Sequence, residues 1–385
     1  MVDDSTLFHI AERFGTPTYV YDLEAIRRQI VTLRGVLPDA DLRYAVKANP
    51  CGTVLRAVAG AGVGAEVITA GELERALRAG TPPERLLLGG PGQDRDLITR
   101  AVEIDIGLVS LDSASQWELW RDRPIRSTRF LVRVNPGLDP RTHDHLATGA
   151  ASSKFGLPRA EATELAADVA KVGLLAGFHV HAGSQVSSLD VYDEIFALLI
   201  DLYAGFSDLA LLNIGGGFTV PCFPFSGFAE RVVAFAERFG LRIVIEPGRS
   251  LVAEAGVLLT RVIHIKEGER RHLIADAGMA DLLRPALYGA SHPIRLLGGG
   301  RGEPRAQDLD GPLCENADRL GQDVLLPVVD RGDLLVVGEV GAYGYAMASN
   351  YASNLRPAEV VVDGPSIALA RRREKPEDLW RLEGG

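Results

Sequence analysis

Short apolar segments alternate with amphipathic stretches over the first two thirds of the chain. Residues 71–80, 160–172 and 227–239 have the spacing of amphipathic helices. Strands that alternate with helices indicate parallel βαβ units, and eight in succession favour a closed barrel over an open sheet. The predicted barrel strands are 42–48, 65–69, 85–89, 106–111, 129–135, 176–181, 209–214 and 241–245.

The hydrophobic pattern changes after about residue 258, where strand-like segments are separated by turns rich in Gly, Pro and Asp. These segments are 258–265, 272–275, 324–327, 334–338 and 359–362, and residues 17–21 are a further candidate to pair with them. The predicted fold class is therefore α/β, a (β/α)8 barrel of residues 26–257. A second, all-β domain is expected to combine residues 1–25 with residues 258–385.

Composition excludes several classes of protein. The net charge of −10 argues against a nucleic-acid partner, and no apolar run has the roughly 18–20 residues that a membrane span requires. The acidic start is not that of a signal peptide. Cys51, Cys222 and Cys314 cannot form a disulfide framework and belong to no zinc motif. We expect a cytoplasmic protein.

Polar residues and glycines interrupt the apolar texture where four of the predicted barrel strands end. Lys47 ends the first and His181 the sixth, three glycines at 215–217 follow the seventh, and Glu246 follows the eighth. Barrel enzymes carry their active sites at the carboxyl ends of the strands, so these residues are predicted to meet on one face.

Lys47 is either an ordinary solvated lysine or a functional amine. In a partly desolvated pocket the charged form of an amine is disfavoured, and the amine becomes nucleophilic towards an aldehyde. The aldehyde that suits this chain is pyridoxal 5'-phosphate (PLP). This cofactor needs a lysine, a phosphate cradle, a partner for its pyridine nitrogen and a flat group against its ring.

The other strand-end residues offer these parts. Backbone N–H groups of the glycines, among them Gly216 and Gly217, can approach a phosphate, and Arg249 can add a charged fork. Glu246 beside the pyridine nitrogen would keep it protonated, which makes the ring the strong electron sink that decarboxylation needs. The alternatives are a tight turn for the glycines and a structural salt bridge for Glu246.

Alternation along a strand places His179 and His181 on the same side. His181 can stack on the ring, with Ser184 near a phosphate oxygen, whereas His179 has the context of a satisfied core histidine. A metal site at this pair is disfavoured because no acidic or cysteine ligand pattern accompanies it, and we predict no metal. Farther along, Cys314 can protonate a carbanion and Glu315 can hold a substrate ammonium.

These residues together resemble a known family, the PLP-dependent decarboxylases of the alanine-racemase-like fold type. The group includes diaminopimelate, ornithine and arginine decarboxylases, and the resemblance covers nearly the whole chain. Further matching motifs are Arg133-Val-Asn-Pro136, Thr142-His143, Thr148-Gly149, Ser153-Lys-Phe-Gly156, Asp276-Ala-Gly-Met279, Arg284-Pro-Ala-Leu-Tyr288, Gly341-Ala-Tyr343-Gly344 and Arg356-Pro-Ala-Glu-Val360.

Within the group the chain is most similar to the diaminopimelate decarboxylases. Cys314 precedes Glu315, where the ornithine enzymes have Cys-Asp, and the Arg284 to Tyr288 motif also matches. The resemblance implies decarboxylation of meso-diaminopimelate to L-lysine by a homodimer whose Cys-Glu loop completes the partner's site. Guanidinium forks suit the distal carboxylate of such a substrate.

The resemblance also implies individual roles. Lys47 is the Schiff-base lysine, His181 the stacking residue, Glu246 the pyridine partner and Cys314 the proton donor. The remaining implied cofactor contacts are Glu66, Arg133, Ser184, Gly216, Gly217, Gly248, Arg249 and Tyr343. The implied substrate contacts are Arg249, Arg284, Tyr288, Glu315 and Tyr343.

Several positions depart from the family pattern, among them Ala182, Ala280 and Gln93, the last in place of an expected lysine. The substrate therefore stays open between meso-diaminopimelate, another amino dicarboxylate and a carrier-bound amino acid of a siderophore pathway. Two other classes of protein share the architecture of a barrel with a second β domain. A racemase usually sets arginine against the pyridine nitrogen, which Glu246 contradicts, and a non-catalytic homologue would be expected to lack Lys47 or Cys314.

Overall fold

A computed structural model describes residues 2–137 and 153–384 of the chain. The motif residues Thr142-His143 and Thr148-Gly149 lie outside the described residues. The chain forms two compact units. The sheet unit combines Met1–Ile26 with Leu251–Gly385, and the barrel unit is Arg27–Ser250.

The strands and the α-helices, each numbered in chain order, have the following bounds. The strands are β1 (Thr18–Asp22), β2 (Asp41–Ala45), β3 (Gly64–Val67), β4 (Leu86–Leu88), β5 (Leu108–Leu111), β6 (Arg129–Arg133), β7 (Leu175–His179), β8 (Leu211–Asn213), β9 (Arg242–Ile245), β10 (Gly256–Lys266), β11 (His272–Ala275), β12 (Ile294–Leu296), β13 (Arg301–Asp310), β14 (Arg319–Val328), β15 (Leu334–Val337), β16 (Ala358–Asp363) and β17 (Ser366–Arg371). The α-helices are α1 (Asp4–Phe14), α2 (Leu23–Val36), α3 (Gly52–Gly60), α4 (Ala70–Arg78), α5 (Arg95–Glu103), α6 (Ala114–Trp120), α7 (Arg159–Lys171), α8 (Asp190–Ala204), α9 (Phe225–Phe239), α10 (Arg249–Val252), α11 (Arg284–Tyr288) and α12 (Pro376–Trp380). Among the described residues, no helix combines the length and apolar character that crossing a membrane requires.

The barrel unit contains a closed barrel of eight parallel strands, β2 to β9. Each strand pairs with the next along the chain, and β9 pairs with β2 to close the ring. One layer of aliphatic side chains from six successive strands forms a buried cluster of Leu87, Leu108, Leu131, Ala176, Leu211 and Val244. Because side chains fill the inside of such a barrel, chemistry is confined to its ends.

Helix starts in the barrel unit follow local capping rules. The Thr69 side chain accepts a hydrogen bond from Glu72 N, and Glu72 Oε2 accepts one from Ile68 N at 2.8 Å, so two side chains satisfy backbone donors where α4 begins. Asp94 caps α5 and Ser113 caps α6 in the same way through their side chains. The turn residues before α4, α5 and α6 therefore define where these three helices begin.

The sheet unit is built on nine strands. Its main path runs β14-β13-β11-β10-β1-β16-β17, with β15 pairing with both β10 and β12. Strand β1 lies between β10 and β16, antiparallel to the first and parallel to the second. The predicted barrel with a second, mostly β domain is thus confirmed, as is a strand near residues 17–21.

Strand ends differ from prediction at two of the predicted site residues. The segment predicted as 42–48 ends as a strand at Ala45, and Lys47 lies in a 3-10 turn, Val46–Ala48. The segment predicted as 176–181 ends at His179, so His181 lies two residues beyond β7. In both places the chain leaves the sheet ladder to turn towards the next helix, and apolar content does not reveal that change.

Three strands of the sheet unit were not predicted, namely β12, β13 and β17. Strand β13 is rich in Arg, Glu, Asp and Gln, and pairs with β14, which ends the path of the sheet. Much of this hairpin is exposed. A half-exposed edge needs few apolar residues, so hydrophobic periodicity gives little signal there.

Candidate active site

Lys47 lies in the turn that follows β2, with its Nζ 2.7 Å from Glu66 Oε2 on β3. The lysine side chain is 38% exposed and that of Glu66 only 4%. The turn rests against the segment after β9, because Ala45 N donates to Pro247 O at 3.2 Å. A Cβ at Gly248 would lie 3.1 Å from Ala45 Cβ, so glycine there allows the close approach.

Two carboxyl groups near this amine have raised pKa values. Burial raises the pKa of Glu66, while the charge of Lys47 opposes that rise. The charges of Glu246 and Arg133 also act on Glu66, which shows that these groups share one electrostatic environment. Burial raises the pKa of Glu72 to about 7.

Arg133 is the last residue of β6 and is buried. Its Nη1 lies 3.3 Å from Asp112 Oδ1, and its guanidinium lies over the Phe155 ring at 4.9 Å from the centroid. Gly156 N donates to the same Asp112 oxygen at 2.8 Å. Burial raises the pKa of Asp112, and Arg133 opposes that rise. The motif Ser153 to Gly156 therefore supports the orientation of Arg133.

The His181 ring is held by the glycine loop. Gly216 N donates to His181 Nδ1 at 3.1 Å. Burial holds the pKa of His181 well below its ordinary value, and the positive charges of Arg133 and Lys47 act in the same direction. The ring is therefore neutral, with its proton on Nε2, because Nδ1 accepts a hydrogen bond.

The loop of Gly215, Gly216 and Gly217 packs closely on its neighbours. A Cβ on Gly217 would lie 1.7 Å from Gly183 O, and one on Gly216 would lie 2.2 Å from Glu246 O. Gly215 and Gly217 also have positive φ angles, +67° and +88°. Glycine is needed here for the shape of the loop itself. In this structure the N–H of Gly216 is donated to His181.

Glu246 follows β9 directly and is 6% exposed. Its Oε1 accepts a hydrogen bond from Asn213 Nδ2 at 2.7 Å, and Asn213 Oδ1 accepts one from Gly215 N at 2.8 Å. Asn213 itself is fully buried. One amide side chain therefore connects the carboxylate to the glycine loop.

His179 lies beside this carboxylate, with Nε2 3.6 Å from Glu246 Oε1. Its Nδ1 lies 2.7 Å from Ser110 Oγ, while Nε2 has no hydrogen-bond partner within residues 2–137 and 153–384. Burial holds the pKa of His179 well below its ordinary value. The prediction of a satisfied core histidine is thus correct for one ring nitrogen and wrong for the other.

Two other predicted residues of the barrel unit lie beyond the same strand ends. Ser184 is half-buried in the segment after His181, and that segment is tied to the glycine loop because Val186 N donates to Gly217 O at 2.9 Å. Arg249 begins the short helix α10. In the described part of the chain, no group of three or more His, Cys, Asp or Glu side chains could hold a metal ion.

The remaining predicted residues belong to the sheet unit. Arg284 begins α11, is 7% exposed, and has Nη1 3.2 Å from His292 Nε2. His292 Nδ1 lies 3.1 Å from Gly338 O. Arginine only donates and a carbonyl only accepts, so His292 is a neutral bridge between them. Tyr288 ends the same helix.

Cys314 and Glu315 are both exposed in the loop between β13 and β14. Tyr343 is half-buried and has a left-handed backbone, with φ of 58°. Such a conformation is unusual for a non-glycine residue and is often retained at functional positions.

Comparison with known proteins identifies the family. The family described as "Pyridoxal-dependent decarboxylase, pyridoxal binding domain" matches residues 23–253. The chain belongs to the pyridoxal-dependent decarboxylases.

Relatives of this decarboxylase match it over nearly their whole length. It is 41% identical to diaminopimelate decarboxylase of Deinococcus radiodurans over 374 residues, which cover 97% of each chain. It is 42% identical to that of Actinosynnema pretiosum, covering 97% of this chain and 90% of the relative. The crystal structure of diaminopimelate decarboxylase from Helicobacter pylori complexed with L-lysine is 32% identical, with a TM-score of 0.92 and coverage of 98% of this chain and 99% of that chain.

The residues at the end of the decarboxylase barrel fit PLP, the cofactor of the family. They supply an amine (Lys47), a buried carboxylate (Glu246), a neutral imidazole ring (His181) and a glycine loop that a Cβ would obstruct. Hydrogen bonds join His181, the glycine loop and Glu246, and a salt bridge joins Lys47 to Glu66. The amine therefore suits an aldehyde, and the buried carboxylate suits a pyridine nitrogen.

Sequence reasoning missed the residues that hold the predicted ones in place. Asn213, Asp112 and Ser110 were given no role, although each contacts a predicted or neighbouring site residue. A signal for Asn213 was present, since it is a polar side chain between Leu212 and Ile214 at the end of a buried strand. Buried polar partners therefore contact several of the predicted site residues.

Proposed function

We propose that this decarboxylase converts meso-diaminopimelate to L-lysine and CO2, with PLP held by the barrel of residues 26–257. Diaminopimelate decarboxylases among its relatives match over nearly the whole chain, and the H. pylori relative was crystallised with L-lysine, the product of this reaction. The proposed substrate contacts are Arg249 of the barrel and, in the second domain of residues 1–25 with 258–385, Arg284, Tyr288, Glu315 and Tyr343.

The observation that carries the reaction type is the buried carboxylate of Glu246 at the carboxyl end of β9. Asn213 orients it, and His179 lies close by. A carboxylate opposite the pyridine nitrogen favours the protonated ring. Bound PLP then supplies an electron sink for the electron pair left when the bond between Cα and the carboxylate breaks.

The chain's own residues perform the other tasks. Lys47 would hold the aldehyde of the cofactor through its amine. The neutral His181 ring presents a flat face, and its orientation is fixed by Gly216. Cys314 delivers a proton to Cα after CO2 leaves, so that one C–C bond is exchanged for one C–H bond. Glu315 holds the substrate ammonium.

Substrate choice rests on the distal carboxylate. Arg284 and Tyr288, with Arg249 and Tyr343, are proposed to bind it, and Arg284 is held in place by His292. A bidentate guanidinium favours a carboxylate over the ammonium that ends lysine or ornithine. An amino dicarboxylate is therefore preferred over a diamine-forming substrate.

The active site is proposed to be shared in a homodimer, with Cys314 and Glu315 contributed by a second copy of the chain. Both side chains are exposed in the single chain and are therefore accessible to a second subunit. We also propose a cytoplasmic location, because the three cysteines are free thiols in the structure.

A substrate panel with PLP present tests the proposal. We expect CO2 and equimolar L-lysine from meso-diaminopimelate, and no CO2 from L-lysine or L-ornithine. The variant R284L should lose most of this activity, whereas R295L, which removes an exposed arginine paired with Asp4, should keep it. CO2 release from ornithine would contradict the proposed substrate. CO2 release only from a different amino dicarboxylate or a carrier-bound amino acid would identify that compound as the substrate instead. Racemisation without CO2 release would contradict the proposed reaction type.

A further inference from the structure

Asp318 lies four residues after Cys314 and has no role in the function described above. It is 3% exposed, whereas Cys314 and Glu315 in the same loop are exposed. A buried carboxylate needs hydrogen-bond donors to offset the loss of water. The partners of Asp318 are therefore informative about the loop.

Both carboxylate oxygens of Asp318 accept backbone hydrogen bonds. Met279 N donates to Oδ1 at 2.5 Å, and Leu313 N donates to Oδ2 at 2.6 Å. Leu313 directly precedes Cys314, whereas Met279 belongs to a segment far away in sequence. One side chain therefore ties the Cys314 loop to the segment after β11.

Backbone hydrogen bonds close the loop around the same residue. Gly311 N donates to Asp318 O at 2.7 Å, and Asp318 N donates to Glu315 O at 3.0 Å. The loop is thus folded onto Asp318 from both ends, with Cys314 between the fixed points.

Two glycines make room for this carboxylate. A Cβ at Gly278 would lie 2.1 Å from Asp318 Oδ1, and a Cβ at Gly311 would lie 2.2 Å from the same atom. Neither glycine has a positive φ, so close packing and not backbone strain explains both. The Asp276 to Met279 motif and the start of the Cys314 loop at Gly311 are therefore both packed around one buried carboxylate.

We propose that Asp318 is a positioning residue that fixes the Cys314 loop for the protonation step. Its carboxylate has only acceptor atoms, which match two converging N–H groups. Without it, both N–H groups would lose their acceptor, and Cys314 would be held by a loosened loop. The inference rests on the proposed function, because it acts through Cys314.

The variant D318N keeps the size of the side chain but turns an NH2 group towards one of the two N–H donors. We expect kcat to fall about tenfold to a hundredfold, because small misplacements of catalytic groups have effects of this size. The visible absorbance of bound PLP should be retained. G311A offers a second route to the same displacement, and it decides the question if D318N does not fold.

Asp308 provides a matched control in the sheet unit. It is also a buried aspartate, accepts a hydrogen bond from Asp323 N at 2.9 Å and pairs with Arg270 at 2.7 Å. D308N should lower the thermal midpoint and leave the kcat of the folded enzyme unchanged. A fall in kcat for D308N equal to that for D318N would overturn the specific role of Asp318.

A double-mutant cycle with C314S tests whether Asp318 acts through the thiol. If it does, D318N should reduce kcat in the C314S background by much less than in the wild type. Equal fold-reductions in both backgrounds, or a wild-type kcat in D318N and G311A, would overturn the proposal. Failure of the proposed function is distinguishable, since the wild-type protein itself would then release no CO2 from meso-diaminopimelate.

Discussion

The amide of Asn213 donates a hydrogen bond of 2.7 Å to the carboxylate of Glu246, and both side chains are buried. The oxygen of the same amide accepts from Gly215 N. The group proposed to face the pyridine nitrogen and the loop proposed to surround the phosphate are thus set by one side chain. This coupling makes Asn213 a sensitive position for cofactor binding.

Replacement of Asn213 should weaken PLP binding. N213L removes both hydrogen bonds, and a bond to a charged group contributes about 1.5–3 kcal/mol, so the Kd for PLP should rise at least about tenfold. N213D keeps an acceptor for Gly215 N but places a second carboxylate beside Glu246. Titration of the apo-protein with PLP measures both. Q307L, which alters a buried amide of the sheet unit, is the control, and an unchanged Kd in N213L would refute the coupling.

Glu246 should matter for turnover more than for cofactor attachment. E246Q keeps the shape of the side chain and an acceptor for Asn213 but removes the charge. We expect kcat to fall on the order of 10²–10³-fold, the range seen when a preorganised electrostatic group is removed. The Lys47-dependent absorbance should persist. E359Q, at a fully buried carboxylate in the sheet unit, should not reproduce the loss, and near-normal turnover of E246Q would contradict the role.

Gly217 should tolerate no side chain because a Cβ would clash with a neighbouring backbone atom. Gly80, which has a positive φ but no such neighbour, separates this clash from backbone strain. Gly217 has φ of +88° and a Cβ would clash with Gly183 O, whereas Gly80 has φ of +96° and open space. Both G217A and G80A strain the backbone, but only G217A adds the clash. Thermal unfolding and PLP titration should therefore show a larger loss of stability and affinity for G217A. Equal effects would show that the clash has no consequence.

Asp281 should make stability fall as pH rises. Burial raises its pKa from 3.8 to about 7, with the carboxylates of Asp276 and Asp318 contributing. The folded state therefore holds the proton between these values, and the stabilisation, complete below about pH 4, is lost as pH approaches 7. From pH 5 to 8 the thermal midpoint should fall more in the wild type than in D281N.

Asp308 supplies the control for this pH dependence. Hydrogen bonding to Arg270 lowers the pKa of Asp308 to about 2, so its contribution is present above 3.8 and is lost only as the pH falls towards 2. D308N should keep the wild-type slope between pH 5 and 8. A wild-type slope in D281N as well would show that Asp281 does not titrate in this range.

The barrel could be predicted from the sequence because its strands are buried on both faces. Segments such as Leu86–Leu88 are wholly buried, and continuous apolar runs between amphipathic helices reveal them. Strand β13 could not be predicted in the same way, since it is largely polar and its pairing with β14 is defined by contacts that periodicity does not identify.

The candidate site also contains residues that the sequence reveals and residues that it does not. Lys47, His181 and Glu246 stand out because charged or aromatic polar residues at the ends of apolar strands are unusual. Asn213 and Asp318 do not stand out, because a neutral amide and a loop aspartate are common residues. Their roles come from contacts with backbone groups that only the folded chain brings near, such as Met279 N and Gly215 N.

Lys47 as the PLP-bearing residue is tested by reduction with borohydride after PLP binding, followed by peptide mass spectrometry. The chain has five lysines, at 47, 154, 171, 266 and 375, so the site of labelling is unambiguous. We predict the pyridoxyl group on the peptide with Lys47, and loss of label, visible absorbance and CO2 release in K47A. The control K171A, at an exposed lysine that pairs with Asp168, should keep all three. Label on another lysine, or visible PLP absorbance retained by K47A, would contradict the assignment.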